Sequence, residues 1–86
     1  MQDVTVYTKP LCPFCYRALG LLKLKGVKVN EISAAFDKQK REEMLSRSNG
    51  KSTYPQIFIG DTHIGGCDEL MALDHEGKLD PMLNGA

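Results

Sequence analysis

Two cysteines stand three residues apart at the start of a helical pattern, as Cys12-Pro13-Phe14-Cys15. An alternating, β-branched segment at 4–8 precedes them and is typical of a strand. Pro13 is tolerated at the first position of a helix because its missing N–H has no partner there, and Gly26 is a natural end for that helix. A second alternating segment follows at 27–32. Strand, helix and strand within about 30 residues predict a βαβ unit with two parallel strands.

The second half of the chain predicts a helix, a two-stranded hairpin and two more helices. The first of these helices is highly charged, and Asp37 is placed to cap it. Two short apolar runs are separated by Gly60-Asp61, a pair that signals a tight hairpin. These elements are expected at about 37–48, 56–59, 62–64, 67–75 and 79–83.

This order predicts an α/β fold class, a mixed four-stranded sheet flanked by helices, as βαβαββα plus a short C-terminal helix. With 86 residues the chain is expected to be one domain spanning 1–86. No apolar run approaches the roughly 18 residues of a membrane span. The first four residues lack the basic-then-apolar pattern of a secretory signal, so the expected compartment is the cytoplasm.

Charge is balanced overall but uneven along the chain. The 11 basic and 11 acidic residues give a pI near 6.7, which argues against nucleic acid as the main partner. Residues 1–28 carry five basic groups against one acidic, a sum of +4, and residues 61–80 carry one against six, a sum of −5. These sums can reflect two charged faces that are simply exposed to solvent. Alternatively, the excess of basic residues in 1–28 raises the electrostatic potential around residue 12.

The number of cysteines restricts the kind of site that the pair can form. Three cysteines are too few, and odd in number, for a disulfide-stapled secreted scaffold. A structural zinc site has four ligands, commonly as two pairs, whereas this chain offers one pair, the distant Cys67, His63 and His75. A reversible thiol pair in a reducing compartment remains.

The two cysteines of the pair are predicted to have different roles. If Cys12 caps the helix, unpaired backbone N–H groups and the positive end of the helix dipole face its sulfur, and Lys9 adds a full charge nearby. These groups favour the thiolate, which is the nucleophile in disulfide exchange. Cys15, at i+3, shares the same face but lacks the direct benefit of the dipole. Cys12 is therefore expected to attack and Cys15 to resolve.

Two other segments each allow a structural and a functional interpretation. Tyr54-Pro55 is either an ordinary trans turn proline or a cis peptide that presents the Tyr54 backbone to a bound peptide. The segment 65–69 is either a sharp turn before a helix or a small anion site. In the second case Asp68 would accept from an ammonium group, so that the site fits the α-end of an amino acid.

Three segments carry a more specific signal in combination: YTKPLCPFC at 7–15, TYPQIFI at 53–59 and HIGGCDEL at 63–70. Together they resemble a dithiol glutaredoxin, most of all the small bacterial glutaredoxin 3 type, over the range 4–83. The resemblance implies a thioredoxin fold, a cis proline at Pro55 and glutathione as reducing co-substrate, with no bound organic cofactor or metal. It also implies a monomer whose partners are glutathione and glutathionylated or disulfide-bonded proteins.

The same resemblance implies a glutathione-binding set. Thr53 and Tyr54 would hold the backbone of glutathione beside Pro55, and Lys9 would lie near its glycine carboxylate. Its γ-glutamyl end would be held at 66–68. Two positions depart from the family pattern, since Phe14 replaces a common tyrosine and Tyr54 a usual valine. Beside the catalytic Cys12 and Cys15, the expected substrate-binding residues are Lys9, Phe14, Thr53, Tyr54, Pro55, Gly66, Cys67 and Asp68.

The predicted function is glutathione-dependent reduction of protein–glutathione mixed disulfides and protein disulfides. The alternatives are an electron donor recharged by a flavoprotein reductase, and an iron–sulfur cluster carrier, which Pro13 disfavours in the family. Cys67 is expected either to be a buried apolar residue or to have a third redox role. His63 is expected to face solvent from a strand, and His75 to lie late in a helix.

Overall fold

The structure, a computed structural model, describes residues 2–85 and contains four strands and four helices in the predicted order. The strands are β1 (Val4–Thr8), β2 (Val29–Ser33), β3 (Gln56–Ile59) and β4 (Thr62–Gly65). The helices are α1 (Pro13–Leu24), α2 (Lys38–Arg47), α3 (Cys67–His75) and α4 (Leu79–Leu83). Within this part of the chain, no helix is both long and apolar enough to cross a membrane.

The strands form one mixed sheet in the order β2-β1-β3-β4. β1 runs parallel to β2, with Val4 opposite Val29, and antiparallel to β3, with Val6 opposite Ile57. β3 and β4 form the predicted hairpin. The parallel pairing of β1 with β2 confirms the predicted βαβ unit, and the complete arrangement confirms the thioredoxin fold.

Alternation along the strands divides the core between the two faces of the sheet. Val4 and Val6 point toward α1, α3 and α4, where the larger core cluster includes Ala18, Leu22 and Leu70. Tyr7 and Phe58 point to the opposite face, where Ala34, which follows β2, and Met44 of α2 complete a smaller cluster. Because successive strand residues face opposite sides, a short central strand can serve both cores.

Most element boundaries follow from local signals. The Asp37 side chain accepts from the N–H of Lys40 at 3.1 Å and caps α2 as expected. The start of β2 differs from the prediction, since the strand begins at Val29 rather than at 27. The Val27 N–H donates to the carbonyl of Leu22 at 3.2 Å, and its side chain is buried in the larger core cluster. Val27 is thus part of the turn that follows α1, although its residue type favours a strand.

Candidate active site

Cys12 is the N-cap of α1. Leu11, with a φ of 55°, turns the chain just before it, and Cys12 itself has an extended backbone with φ −108° and ψ 103°. Its Sγ accepts a hydrogen bond from the N–H of Cys15 at 3.3 Å. Pro13 follows as the first helical residue and has no N–H to leave unpaired. The first turn of α1 therefore directs an amide donor and the positive end of the helix dipole at the Cys12 sulfur.

Cys15 lies one turn deeper and is 1% exposed. Burial, together with the hydrogen bond to the Cys12 side chain, which favours the protonated form, raises the pKa of its thiol to about 12. A hydrogen bond from the backbone of Lys9 acts in the opposite direction. At neutral pH Cys15 is thus a thiol beside the Cys12 sulfur.

The raised pKa of Cys15 predicts a loss of stability at alkaline pH. In the unfolded chain this thiol ionises near its ordinary pKa of 9.0, whereas in the folded protein it keeps its proton until about 12. The unfolded state therefore loses a proton first, so the free energy of unfolding should fall as pH rises through this range. Urea unfolding of the wild type and of Cys15→Ser at several pH values should show a smaller decline for the variant. Equal slopes would mean that Cys15 does not carry the effect.

The side chains around the pair differ sharply in exposure. Cys12 is only 2% exposed, whereas Phe14 is 52% and Tyr16 is 60% exposed. The Cys12 Sγ lies 4.0 Å from the Tyr54 carbonyl oxygen, and the Tyr54–Pro55 peptide bond is cis, which confirms that expectation. Because so little of Cys12 is accessible, a substrate sulfur must reach it in a restricted orientation.

An open cavity of about 170 Å³ lies beside this segment. Seven of the eight residues expected to bind the substrate line it; Lys9 does not, and Glu69 was not expected. Across residues 2–85 no group of three His, Cys, Asp or Glu side chains is placed to hold a metal ion. The lining residues are Phe14, Thr53, Tyr54, Pro55, Gly66, Cys67, Asp68 and Glu69.

The start of α3 forms the polar side of the cavity. Glu69 accepts from the N–H of Gly66, the N-cap, at 2.7 Å, and the Leu70 N–H begins the helical ladder at the Gly66 carbonyl. In the described part of the chain the N–H groups of Cys67 and Asp68 have no acceptor, so this helix end presents two donors to the cavity. The spacing of Glu69 three residues after Gly66 was the sequence signal for its role as a cap.

Gly65 brings the chain into this position. Its φ of +116° lies outside the range that residues with a side chain readily adopt. A Cβ at this position would also lie 2.7 Å from Glu69 Oε1. The backbone therefore requires glycine where the hairpin enters α3.

Comparison with known proteins identifies the family. The glutaredoxin family model matches residues 4–64. The chain belongs to the glutaredoxin family. It is 54% identical to glutaredoxin 3 of Escherichia coli K12 over 83 residues, which cover 96% of this chain and 99% of the relative. Glutaredoxins are thiol–disulfide oxidoreductases, and this chain, as a member of the family, belongs to that class of enzyme.

Two solved glutaredoxins show the same fold. The solution structure from Brucella melitensis is 52% identical with a TM-score of 0.82, and covers 100% of this chain and 94% of its own. A crystal structure of a buckwheat glutaredoxin–glutathione complex is 32% identical with a TM-score of 0.86. That match covers 98% of this chain and 78% of the buckwheat chain. The arrangement of strands and helices in this glutaredoxin is therefore common to bacterial and plant members.

Lys9 and Tyr54 contact each other at the edge of the site in this glutaredoxin. The Lys9 Nζ lies 5.9 Å from the centroid of the Tyr54 ring, which places its charge on the Tyr54 side of the cavity rather than in the lining. The Tyr54 ring packs against the smaller core cluster, and its hydroxyl is buried without a partner among the described residues. Tyr54 thus occupies space in the core as well as lining the cavity.

Cys67 is buried at 4% exposure, as the first of its two interpretations expects. Burial raises the pKa of its thiol, and the positive charge of Arg17 counteracts this only in part. Cys67 therefore remains protonated at neutral pH.

His63 departs from the sequence-based expectation. It was expected to face solvent, but it is half-buried and stacks on Phe58 with 4.9 Å between ring centroids. Its Nε2 lies 2.7 Å from Gln56 Oε1. The cause is the hairpin register, which places His63 directly opposite Phe58. The expectation was wrong because strand alternation alone does not show what covers the face of an edge strand.

Proposed function

We propose that this glutaredoxin is a glutathione-dependent thiol–disulfide oxidoreductase with Cys12 as nucleophile and Cys15 as resolving thiol. One observation carries the assignment of roles: the Cys12 Sγ accepts the Cys15 N–H at the start of α1, while the Cys15 thiol is buried and holds its proton. A sulfur that receives an amide hydrogen bond at a helix N-terminus is stabilised as a thiolate. The Cys15 thiol, whose pKa is raised, is not stabilised in this way.

On a protein–glutathione mixed disulfide the reaction takes two exchanges. The Cys12 thiolate attacks the glutathione sulfur, a Cys12–glutathione disulfide forms, and the protein leaves as a thiolate that takes up a proton. A second glutathione, as thiolate, then attacks the same glutathione sulfur. Oxidised glutathione leaves, and the Cys12 thiolate is restored. Two glutathione molecules supply the two electrons, so this route needs no resolving cysteine.

On a protein disulfide Cys15 completes the reaction. Cys12 attacks one sulfur and forms a mixed disulfide with the substrate, after which Cys15 attacks the Cys12 sulfur and releases the second substrate thiol. The hydrogen bond and the charge of Cys12, two causes of the raised pKa of Cys15, act only while the Cys12 sulfur is free. Mixed-disulfide formation removes both. Burial, the largest cause, still raises the pKa of the Cys15 thiol, but the loss of the other two lowers that pKa at the step that requires the thiolate.

The cavity beside Pro55 supports glutathione as the ligand. The N–H groups of Cys67 and Asp68 suit a carboxylate, and the Asp68 carboxylate suits the ammonium on the same carbon of a γ-glutamyl group. Thr53 and Tyr54 offer backbone groups to the peptide, and Lys9 offers a cation at the same edge for the glycine carboxylate. The buckwheat relative was crystallised as a glutathione complex with this fold.

The cellular setting follows from this chemistry. A thiol pair that glutathione recharges requires a compartment in which glutathione is kept reduced, which is the cytoplasm. We propose that the protein acts there as a single-domain monomer, with glutathionylated and disulfide-bonded proteins as partners. The mechanism uses glutathione as co-substrate and no bound cofactor.

The source of electrons tests the proposal. The protein is first oxidised to the Cys12–Cys15 disulfide, then incubated either with glutathione alone or with NADPH and a flavoprotein disulfide reductase without glutathione. We expect the free thiols of the protein, counted by a colorimetric thiol reagent once the protein is separated from glutathione, to reappear after incubation with glutathione. Recovery with the reductase alone would instead identify a glutaredoxin-like donor that does not depend on glutathione.

A further inference from the structure

A chain of hydrogen bonds connects His63, on an edge strand, to the rim of the cavity. His63 Nε2 lies 2.7 Å from Gln56 Oε1, and the Gln56 amide nitrogen donates to the Thr53 carbonyl at 2.9 Å and to Thr53 Oγ1 at 3.0 Å. Gln56 is 2% exposed, while Thr53 is exposed and lines the cavity. A buried amide thus spans the distance between a histidine and a candidate ligand contact.

The Thr53 carbonyl fixes the direction of every bond in this chain. A carbonyl oxygen only accepts, so the Gln56 amide must turn its NH₂ group toward Thr53 and its oxygen toward His63. His63 must then donate from Nε2. The Thr53 hydroxyl oxygen accepts from Gln56, so its own proton is free to be donated outward.

We propose that His63, acting through Gln56, is a positioning residue that sets the Thr53 backbone and hydroxyl for a ligand carrying peptide carbonyl or carboxylate oxygens. This inference rests on the proposed function, in which that ligand is glutathione. Without the His63 donor the Gln56 amide has no fixed orientation. A flipped amide would place its oxygen against the Thr53 carbonyl and draw the hydroxyl proton inward.

The surroundings of His63 hold its ring in the donating position. Its imidazole stacks on Phe58, its neighbour across the hairpin, at an interplanar angle of 28°. The guanidinium of Arg47 lies 4.3 Å from the centroid of the same Phe58 ring, which anchors Phe58 to α2. The pairing of β3 with β4 shifts its register between Ile57 and Phe58, next to Gln56.

The test compares turnover of two substrates made from one peptide. In one, the peptide thiol is joined by a disulfide to glutathione, and in the other it is joined to 2-mercaptoethanol. His63→Phe keeps the stacked ring and removes the donor. We expect KM for the glutathionylated peptide to rise about 3- to 10-fold with kcat within about 2-fold, the loss typical of one hydrogen bond. KM for the mercaptoethanol disulfide, which has no peptide groups, should not change.

Three further variants separate positioning from folding. His63→Gln keeps an N–H donor at similar reach and should restore KM to within about 2-fold of the wild type. Gln56→Glu leaves the His63–Phe58 stack in place but cannot donate to Thr53, so it should repeat the selective rise in KM. His75→Phe makes the same change at an exposed histidine in α3 and should leave both substrates unaffected.

A double mutant gives the sharpest result. In a Thr53→Val background, His63→Phe should raise KM by less than it does in the wild type, because the hydroxyl is already gone and only the Thr53 backbone remains to be positioned. Equal increases for both disulfides, or an additive double mutant, would overturn the proposal. A wild type that turns over neither disulfide would instead overturn the proposed function.

Discussion

Replacing Cys12 by serine should reduce turnover of glutathionylated peptide by at least about 1,000-fold, to the uncatalysed rate. Serine keeps the size and the N-cap geometry, so α1 retains an acceptor for the Cys15 N–H. The hydroxyl is not ionised at neutral pH and cannot form a disulfide. Steady-state turnover with glutathione in excess measures the loss.

The control for Cys12→Ser is a measurement of whether the variant is still folded. Because serine is a good N-cap residue, the thermal unfolding midpoint should remain close to that of the wild type. A stable, folded Cys12→Ser protein with near-normal turnover would show that another group is the nucleophile. Alkylation followed by mass spectrometry would then identify that group, since Cys15 and Cys67 are the only other cysteines in the sequence.

Replacing Cys15 by serine should separate the two activities. Turnover of glutathionylated substrates should remain within about 3-fold of the wild type, since both exchanges on that route use Cys12 alone. Reduction of a protein disulfide should fall at least about 100-fold, because no second thiol releases the bound substrate. The two activities are measured side by side, with a glutathionylated peptide and with a disulfide-bonded protein.

The stalled complex provides an independent check on Cys15→Ser. Without the resolving thiol, a mixed disulfide between Cys12 and the substrate protein should accumulate and appear on a non-reducing gel. The band should be absent from Cys12→Ser, which is the matched control. Equal losses of both activities in Cys15→Ser would contradict the division of roles between the two cysteines.

Several elements could be predicted because their signals are local. β1 and β3 have the predicted bounds, and Asp37 caps α2 as expected, since strand alternation and capping depend on neighbouring residues only. The start of β2 could not be predicted in this way. Val27 has the composition of a strand residue, but its N–H is held by Leu22 at the end of α1.

The candidate site was predicted in part from the residues and in part from the family resemblance. The position of Cys12 at the start of α1 follows from the sequence pattern, and the structure shows that geometry. The residues of 53–55 and 66–68 are distant in the chain, and only the resemblance placed them beside the cysteine pair; six of them line one cavity with Phe14. Glu69 was not predicted, although its spacing from Gly66 is a local signal for a cap. The contact between His63 and Gln56 was not predicted because it joins two neighbouring strands.

The sequence by itself determined the order of the elements, the cysteine that caps α1 and the glutaredoxin pattern, because each depends on residues close together in the chain. Only the tertiary structure decided which side chains meet around the cavity, how deeply Cys15 is buried and that His63 contacts Gln56. Desolvation and long-range hydrogen bonds depend on the packing of segments that are far apart in sequence. That packing is what raises the pKa of the Cys15 thiol and connects an edge strand to the rim of the cavity.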